Sequence, residues 1–135
     1  MRRIAIVLTA VVALTALAVP GCSTLNFIKR RLPPPTQDAS GVTFRFYAPS
    51  ARVVQLAGNW TENNWLAGQA QTGSFLVGEM KDDDGDGIWT RTEKLTPGRY
   101  QYKFVIDRVN WKEDPNNPNR TDDGYGGFNS LLDVR

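Results

Sequence analysis

The chain has 135 residues, of which 41% are hydrophobic and 22% charged, with a formal net charge of +2. Its single cysteine rules out an internal disulfide, and the lack of histidine removes the commonest general base and the commonest zinc ligand. With no basic stripe in the sequence, nucleic acid is excluded as the expected partner.

Met1-Arg2-Arg3 is a short basic start, and Ile4 to Val19 is an unbroken run of Ala, Val, Leu, Ile and Thr. The run is shorter than the roughly 18 residues expected of a membrane span, but it suits the apolar part of a secretory signal. It ends at Val19-Pro20-Gly21-Cys22, where small residues precede the cysteine. That arrangement resembles a bacterial lipoprotein processing site. Residues 1–21 would be the signal peptide, with cleavage after Gly21 and acylation of the Cys22 sulfur, palmitate being among the chains attached. An ordinary signal peptide with a free cysteine and an uncleaved signal anchor are the alternatives. Ser23 after the cysteine fits sorting to an outer membrane. The expected location is therefore the cell envelope, on the periplasmic face of the outer membrane or at the cell surface. Cleavage also removes Arg2 and Arg3, which takes the formal charge from +2 to zero.

Residues 22–40 read as the lipidated cysteine followed by an extended tether. Pro33-Pro34-Pro35 favours polyproline II and stands the following domain off the membrane. Lys29-Arg30-Arg31 is a basic cluster close to the acylated end, either a solvated stretch or a contact for anionic head groups.

Residues 41–135 are enough for one small domain and show no helical period. Val42 to Ala48 alternates cleanly, with Val42, Phe44, Phe46 and Ala48 inward. Further strands are expected at Arg52–Ala57, closed by Gly58, and weakly at Phe75–Met80, interrupted by Gly78. Ile88–Glu93 and a long Arg99–Asp107 follow. In the long strand Tyr100, Tyr102, Phe104 and Ile106 share one face, and Lys103 lies on the other. Pro97-Gly98 before it suits the centre of a type II turn. A turn at Asp107–Asn110 leads to a short extension around Trp111, and Phe128–Val134 is the last strand. Short strands with Gly, Pro and Asp between them predict an all-β fold, a single immunoglobulin-like antiparallel β-sandwich.

Asp82-Asp83-Asp84-Gly85-Asp86-Gly87 through Glu93 satisfies the spacing of an EF-hand loop. That loop needs helices on both sides, and here β-type sequence surrounds it. An acidic hairpin turn is the simpler reading. A looser calcium cage of Asp82, Asp84 and Asp86 is the alternative, because clustered carboxylates repel. No cofactor is expected.

The blocks GVTFRFYAPSARVVQLAGNW, GDGIWTRTEKLTPGRYQYKFVID, WKEDP and GGFNSLLDV, in that order, resemble the family 48 carbohydrate-binding modules. These are early-set β-sandwiches that precede the catalytic barrel in glycogen-branching and debranching enzymes such as isoamylase. They are also similar to the glycogen-binding domain of AMP-activated protein kinase β subunits. The resemblance implies an α-glucan lying across two exposed tryptophans, with a lysine and an asparagine bonding to hydroxyls. By motif these are Trp65, Trp111, Lys103 and Asn129, with Tyr125 as a large side chain at the end of the site. The loop from Trp60 to Trp65 is longer than the family's usual form. Arg108 stands where the family has glycine, a change that would alter the aim of Trp111. Trp60 and Trp89 are expected to pack in or beside the core.

A glucose ring has C–H bonds on its faces and hydroxyls at its rim, so it packs flat on an indole while amides and ammonium groups meet the rim. Lys103 and Asn129 both fall on the phase opposite the apolar face of their strands. Hydrolysis would require two carboxylates flanking a bond inside a cleft. Asp122-Asp123 and the 82–86 cluster lie on turns, and the catalytic barrel of related proteins is missing, so no enzyme activity is expected. The leading expectation is a non-catalytic, membrane-anchored module that binds α-1,4-linked glucan. The alternative is an early-set protein-interaction subunit of an envelope complex in which glycan binding is lost.

Overall fold

The alternating residues of the sequence become the inward faces of two antiparallel sheets. The computed structural model describes residues 31–67 and 76–135; the expected signal peptide, Cys22 and Phe75 lie outside the described residues. In chain order the strands are β1 (Thr36–Asp38), β2 (Gly41–Tyr47), β3 (Val54–Gly58), β4 (Ile88–Glu93), β5 (Gly98–Ile106), β6 (Asn110–Lys112), β7 (Arg120–Asp122) and β8 (Phe128–Val134). One sheet runs β1-β2-β4 and the other β3-β5-β8-β7, with β6 paired to β5. Every pairing is antiparallel, and the two layers form a β-sandwich. Among the described residues no helix is long and apolar enough to cross a membrane.

The core forms where β2 faces β3 and β5. Val42, Phe44 and Phe46 alternate inward from β2 and meet Leu56, Tyr102 and Phe104. Phe44 meets Tyr102 edge-on at 5.0 Å, and Phe46 lies 4.6 Å from Phe104 between ring centroids. Full burial of each such ring is worth about 1.5–3 kcal/mol. Trp60 and Trp89 behave as expected from the sequence. Trp60 is buried and stacks on Phe44, and half-buried Trp89 donates its indole N–H to the Ala48 carbonyl at 3.0 Å.

Three local differences from the sequence expectation have physical causes. The sandwich includes part of the stretch read as tether. Thr36–Asp38 pairs with β2, Leu32 is buried, and its N–H bonds the Asn116 side chain at 3.1 Å. Gln37 adds bonds from its side chain to the Asp133 carbonyl and the Arg135 N–H, joining this segment to the end of β8. All of β1 is exposed, so no hydrophobic alternation marks it.

In place of a third strand at 75–80, the described part is a turn over the edge of β3. Leu56 N–H bonds the Gly78 carbonyl and Met80 N–H bonds the Val54 carbonyl, and only Gln55 and Glu79 form a bridge. Gly78 has φ +69, and a Cβ there would lie 2.2 Å from the Leu56 carbonyl oxygen, so the close approach requires glycine. Finally, Gly98 does not have the positive φ of a type II turn. It is already the first residue of β5, paired with Val134.

Candidate functional site

The longest strand sets up the site. β5 is central: β3 lies on one side, and β8 and β6 share the other. Its even-numbered residues Tyr102 and Phe104 enter the core, so Gln101, Lys103 and Val105 occupy the outer face of the sheet. Register carries that face across to Trp111, the partner of Val105 on β6, and to Asn129 on β8. A cleft of about 430 Å³ opens there, lined by Trp65, Gln101, Lys103, Trp111, Asp123, Tyr125 and Asn129. All of the side chains named from the sequence as glycan contacts therefore meet at one place.

The aromatic members differ in support. Trp111 is 45% exposed and Tyr125 is 96% exposed, whereas Trp65 is half-buried. Trp65 sits in a short left-handed turn, with φ of 41, 55 and 63 at Asn64, Trp65 and Leu66. Such backbone costs about 1–2 kcal/mol per residue for L-amino acids, and it persists only where the surroundings impose it. Buried Asn63 imposes it. Its amide donates to the Leu56 carbonyl at 2.7 Å and accepts from the Gly58 N–H at 2.8 Å, fastening the loop to the end of β3. Asn63 was not singled out from the sequence. The Asn63-Asn64 pair was visible, but nothing local showed which side chain turns inward.

Trp111 follows a hairpin turn in which Asp107 and Arg108 both have positive φ, 50 and 66. The Asp107 carboxylate accepts from the Arg52 and Val53 N–H groups at 2.7 and 3.1 Å, which fixes the turn against the start of β3. Arg108 thus occupies a position suited to glycine, yet Trp111 keeps its place opposite Val105 and lines the cleft. The position of Trp111 is fixed by its pairing with Val105 in the ladder. Arg108→Gly is expected to raise stability by about 1 kcal/mol in urea unfolding by relieving the left-handed strain, offset in part by unfolded-chain entropy. It is expected to leave ligand binding unchanged.

The polar members are already paired with one another. Lys103 Nζ donates to Asp123 Oδ2 at 2.6 Å, with side-chain exposures of 16% and 10%. Asn129 Nδ2 donates to Gln101 Oε1 at 2.8 Å. Gln101 and Asp123 were missed as site residues. Gln101 shares the outward phase of Lys103 two positions away, a signal that was available. Asp123 was read only as a turn carboxylate, because its lysine partner comes from a strand 20 positions away in sequence.

The Lys103 ammonium, and after it the amides of Tyr125 and Gly127, hold the Asp123 carboxyl well below its ordinary value of 3.8, at about 2. A lowered value favours the fold above the ordinary pKa, and this contribution disappears as pH falls toward 2. In an NMR titration the Tyr125 and Gly127 amides are expected to shift with a midpoint near 2. A midpoint at the ordinary 3.8 would contradict the pairing.

The acidic turn lies elsewhere. Carboxylate oxygens of Asp82, Asp84 and Asp86 come within 4.8 Å of one another. They also build the turn: Asp84 accepts from the Asp86 N–H, Asp82 from the Gly87 N–H, and Asp86 from the Ile88 N–H. Asp82 Oδ1 is buried without a hydrogen-bond partner. Glu93, the twelfth position of the EF-hand pattern, is at the end of β4 and bonded to Arg91, so it does not join the cluster.

A cleft on the outer face of a small sandwich, with aromatic rings around amides and a paired lysine, suits reversible binding of a polar ligand. One carboxylate lines it, and both oxygens of that group are already bonded. This is the construction of a carbohydrate-binding module. The chain belongs to the family described as the glycogen recognition site of AMP-activated protein kinase, matched over residues 41–135. That family is non-catalytic. No curated protein gives a significant match to the chain.

Proposed function

We propose that the chain is a lipid-anchored module that binds α-1,4-linked glucan at the cell envelope, with the sugar stacked on Trp65 and Trp111 and bonded by Lys103 and Asn129. The observation that carries this reading is the convergence on one cleft of residues from the 60–65 loop, β5, β6, the turn before β8, and β8 itself. Tyr125 extends the aromatic edge into solvent. The anchor rests on Cys22 and its signal sequence. A shallow stacking site of this kind implies dissociation constants between micromolar and millimolar, roughly −4 to −8 kcal/mol.

The test is affinity electrophoresis of the full chain in a non-glycosidic detergent. Migration is expected to slow in gels loaded with glycogen or amylopectin, and maltoheptaose is expected to change the tryptophan emission. Equal migration in loaded and plain gels rejects the reading.

A protein-interaction role has one feature in its favour. A second groove, lined by Phe46, Ile106, Asn110, Lys112, Glu113 and Pro115, offers a largely apolar surface beside exposed Val109. Capture of one defined envelope protein with no fluorescence response to sugar would favour that role over glucan binding.

A further inference from the structure

The Lys103–Asp123 pair spans the site. Lys103 is on β5 and Asp123 follows β7, with β8 between these strands in the sheet. The carboxylate therefore reaches across β8 and Asn129 to the ammonium. Its other oxygen accepts from the N–H groups of Tyr125 at 2.8 Å and Gly127 at 3.0 Å. The Asp123 N–H donates in turn to the Gly127 carbonyl at 3.1 Å. One side chain thus fixes both the loop that carries Tyr125 and the lysine. Gly127 leaves room for this, because a Cβ there would lie 2.8 Å from Asp123 Oδ2. At 96% exposure the Tyr125 ring has little packing to hold it, so its position depends on its backbone.

Charge follows from the same contact. Among the described residues lining the cleft, Lys103 is the one cation and Asp123 the one anion. Their contact cancels the local charge while leaving N–H groups of the ammonium for a hydroxyl. A phosphate or sulfate on a sugar would have to displace Asp123 and then remain beside it. Like charges in one site repel.

We infer that Asp123 is the positioning and specificity-determining residue of this site, ordering the Tyr125 loop and Lys103 and restricting the ligand to uncharged glucan. The inference rests on the glucan-binding reading above.

The experiment compares the full chain in a non-glycosidic detergent with Asp123→Ala and Asp123→Asn. Affinities are measured for maltoheptaose and for its phosphorylated form, together with amide hydrogen exchange at Tyr125 and Gly127. The parent is expected to prefer the neutral sugar. In Asp123→Ala both amides should exchange at least tenfold faster, and the preference for the neutral sugar should fall at least tenfold. Asp123→Asn keeps a carbonyl for the amides, so exchange should return toward the parent rate while the preference stays lost. A purely structural aspartate would let asparagine restore both. An unchanged preference in the two variants overturns the inference. A parent chain that binds neither sugar rejects the glucan reading instead. In that case unchanged amide exchange in Asp123→Ala overturns the positioning role as well.

Discussion

Trp111→Ala is expected to abolish retention in glycogen-loaded gels while the chain stays folded. Trp111 is 45% exposed on a three-residue strand, so the fold depends little on its ring. Its loss uncovers part of buried Val105, its cross-strand partner, at a cost of about 1 kcal/mol. For the ligand the same ring is a large rigid platform. Removing a central aromatic anchor typically costs 2 kcal/mol or more, about thirtyfold in affinity. From a starting affinity in the upper part of the micromolar-to-millimolar range, that loss carries the dissociation constant beyond millimolar and out of the reach of a gel. Trp60→Ala provides the contrast. That ring is 5% exposed and stacked on Phe44, so its removal opens a core cavity costing about 3–5 kcal/mol. Its failure to bind would come with a collapse in melting temperature. Full retention by Trp111→Ala would show that the sugar, if bound, does not use this ring.

The site was more legible than parts of the fold because its signals are chemical rather than periodic. Trp111, Lys103 and Asn129 sit in short blocks with a recognisable residue pattern, and strand phase alone put Lys103 outside. Strands β2 and β5 carry apolar alternation, and these two together with β4 and β8 were found within a residue or so at each end. In contrast, β1 and β7 are short segments, TQD and RTD, whose pairing rests on backbone hydrogen bonds. Nothing in a polar tripeptide distinguishes a strand from a tether. The partners of the polar site residues were illegible for a different reason. Asp123 and Lys103 meet only because β8 forms between their strands, so sequence separation hides the pair. The left-handed turn at Trp65 likewise depends on Asn63 turning inward to a strand end that no local pattern specifies.

A large loss of stability is also expected from Asp114→Ala, a residue outside the cleft. Asp114 is 4% exposed, and its Oδ2 accepts from the buried Tyr102 hydroxyl at 2.7 Å. Its Oδ1 accepts from the Asn116 N–H at 2.8 Å, and its own N–H donates to Ser130 Oγ at 2.7 Å. Asn117 completes the knot, donating from its side chain to the Tyr102 oxygen and the Leu131 carbonyl. The network joins the middle of β5, the middle of β8 and the segment just after Trp111. Burial pushes the Asp114 carboxyl up from its ordinary value, and burial followed by the neighbouring carboxylate pushes the Tyr102 hydroxyl up. A raised carboxyl favours the fold at low pH, and this contribution is lost as pH rises through the shifted value, opposite in sign to Asp123. Alanine leaves the Tyr102 hydroxyl buried without an acceptor and loses a charge-assisted bond, together about 3 kcal/mol. For a domain near 100 residues that is roughly a 15 °C fall in melting temperature. Tyr102→Phe should cost less, because it removes the buried donor along with the bond. Equal urea midpoints for Asp114→Ala and the parent would mean that the knot contributes nothing. A lower midpoint with weaker sugar binding, in a chain still folded, would show that this buried carboxylate also steadies the strand on which Trp111 stands.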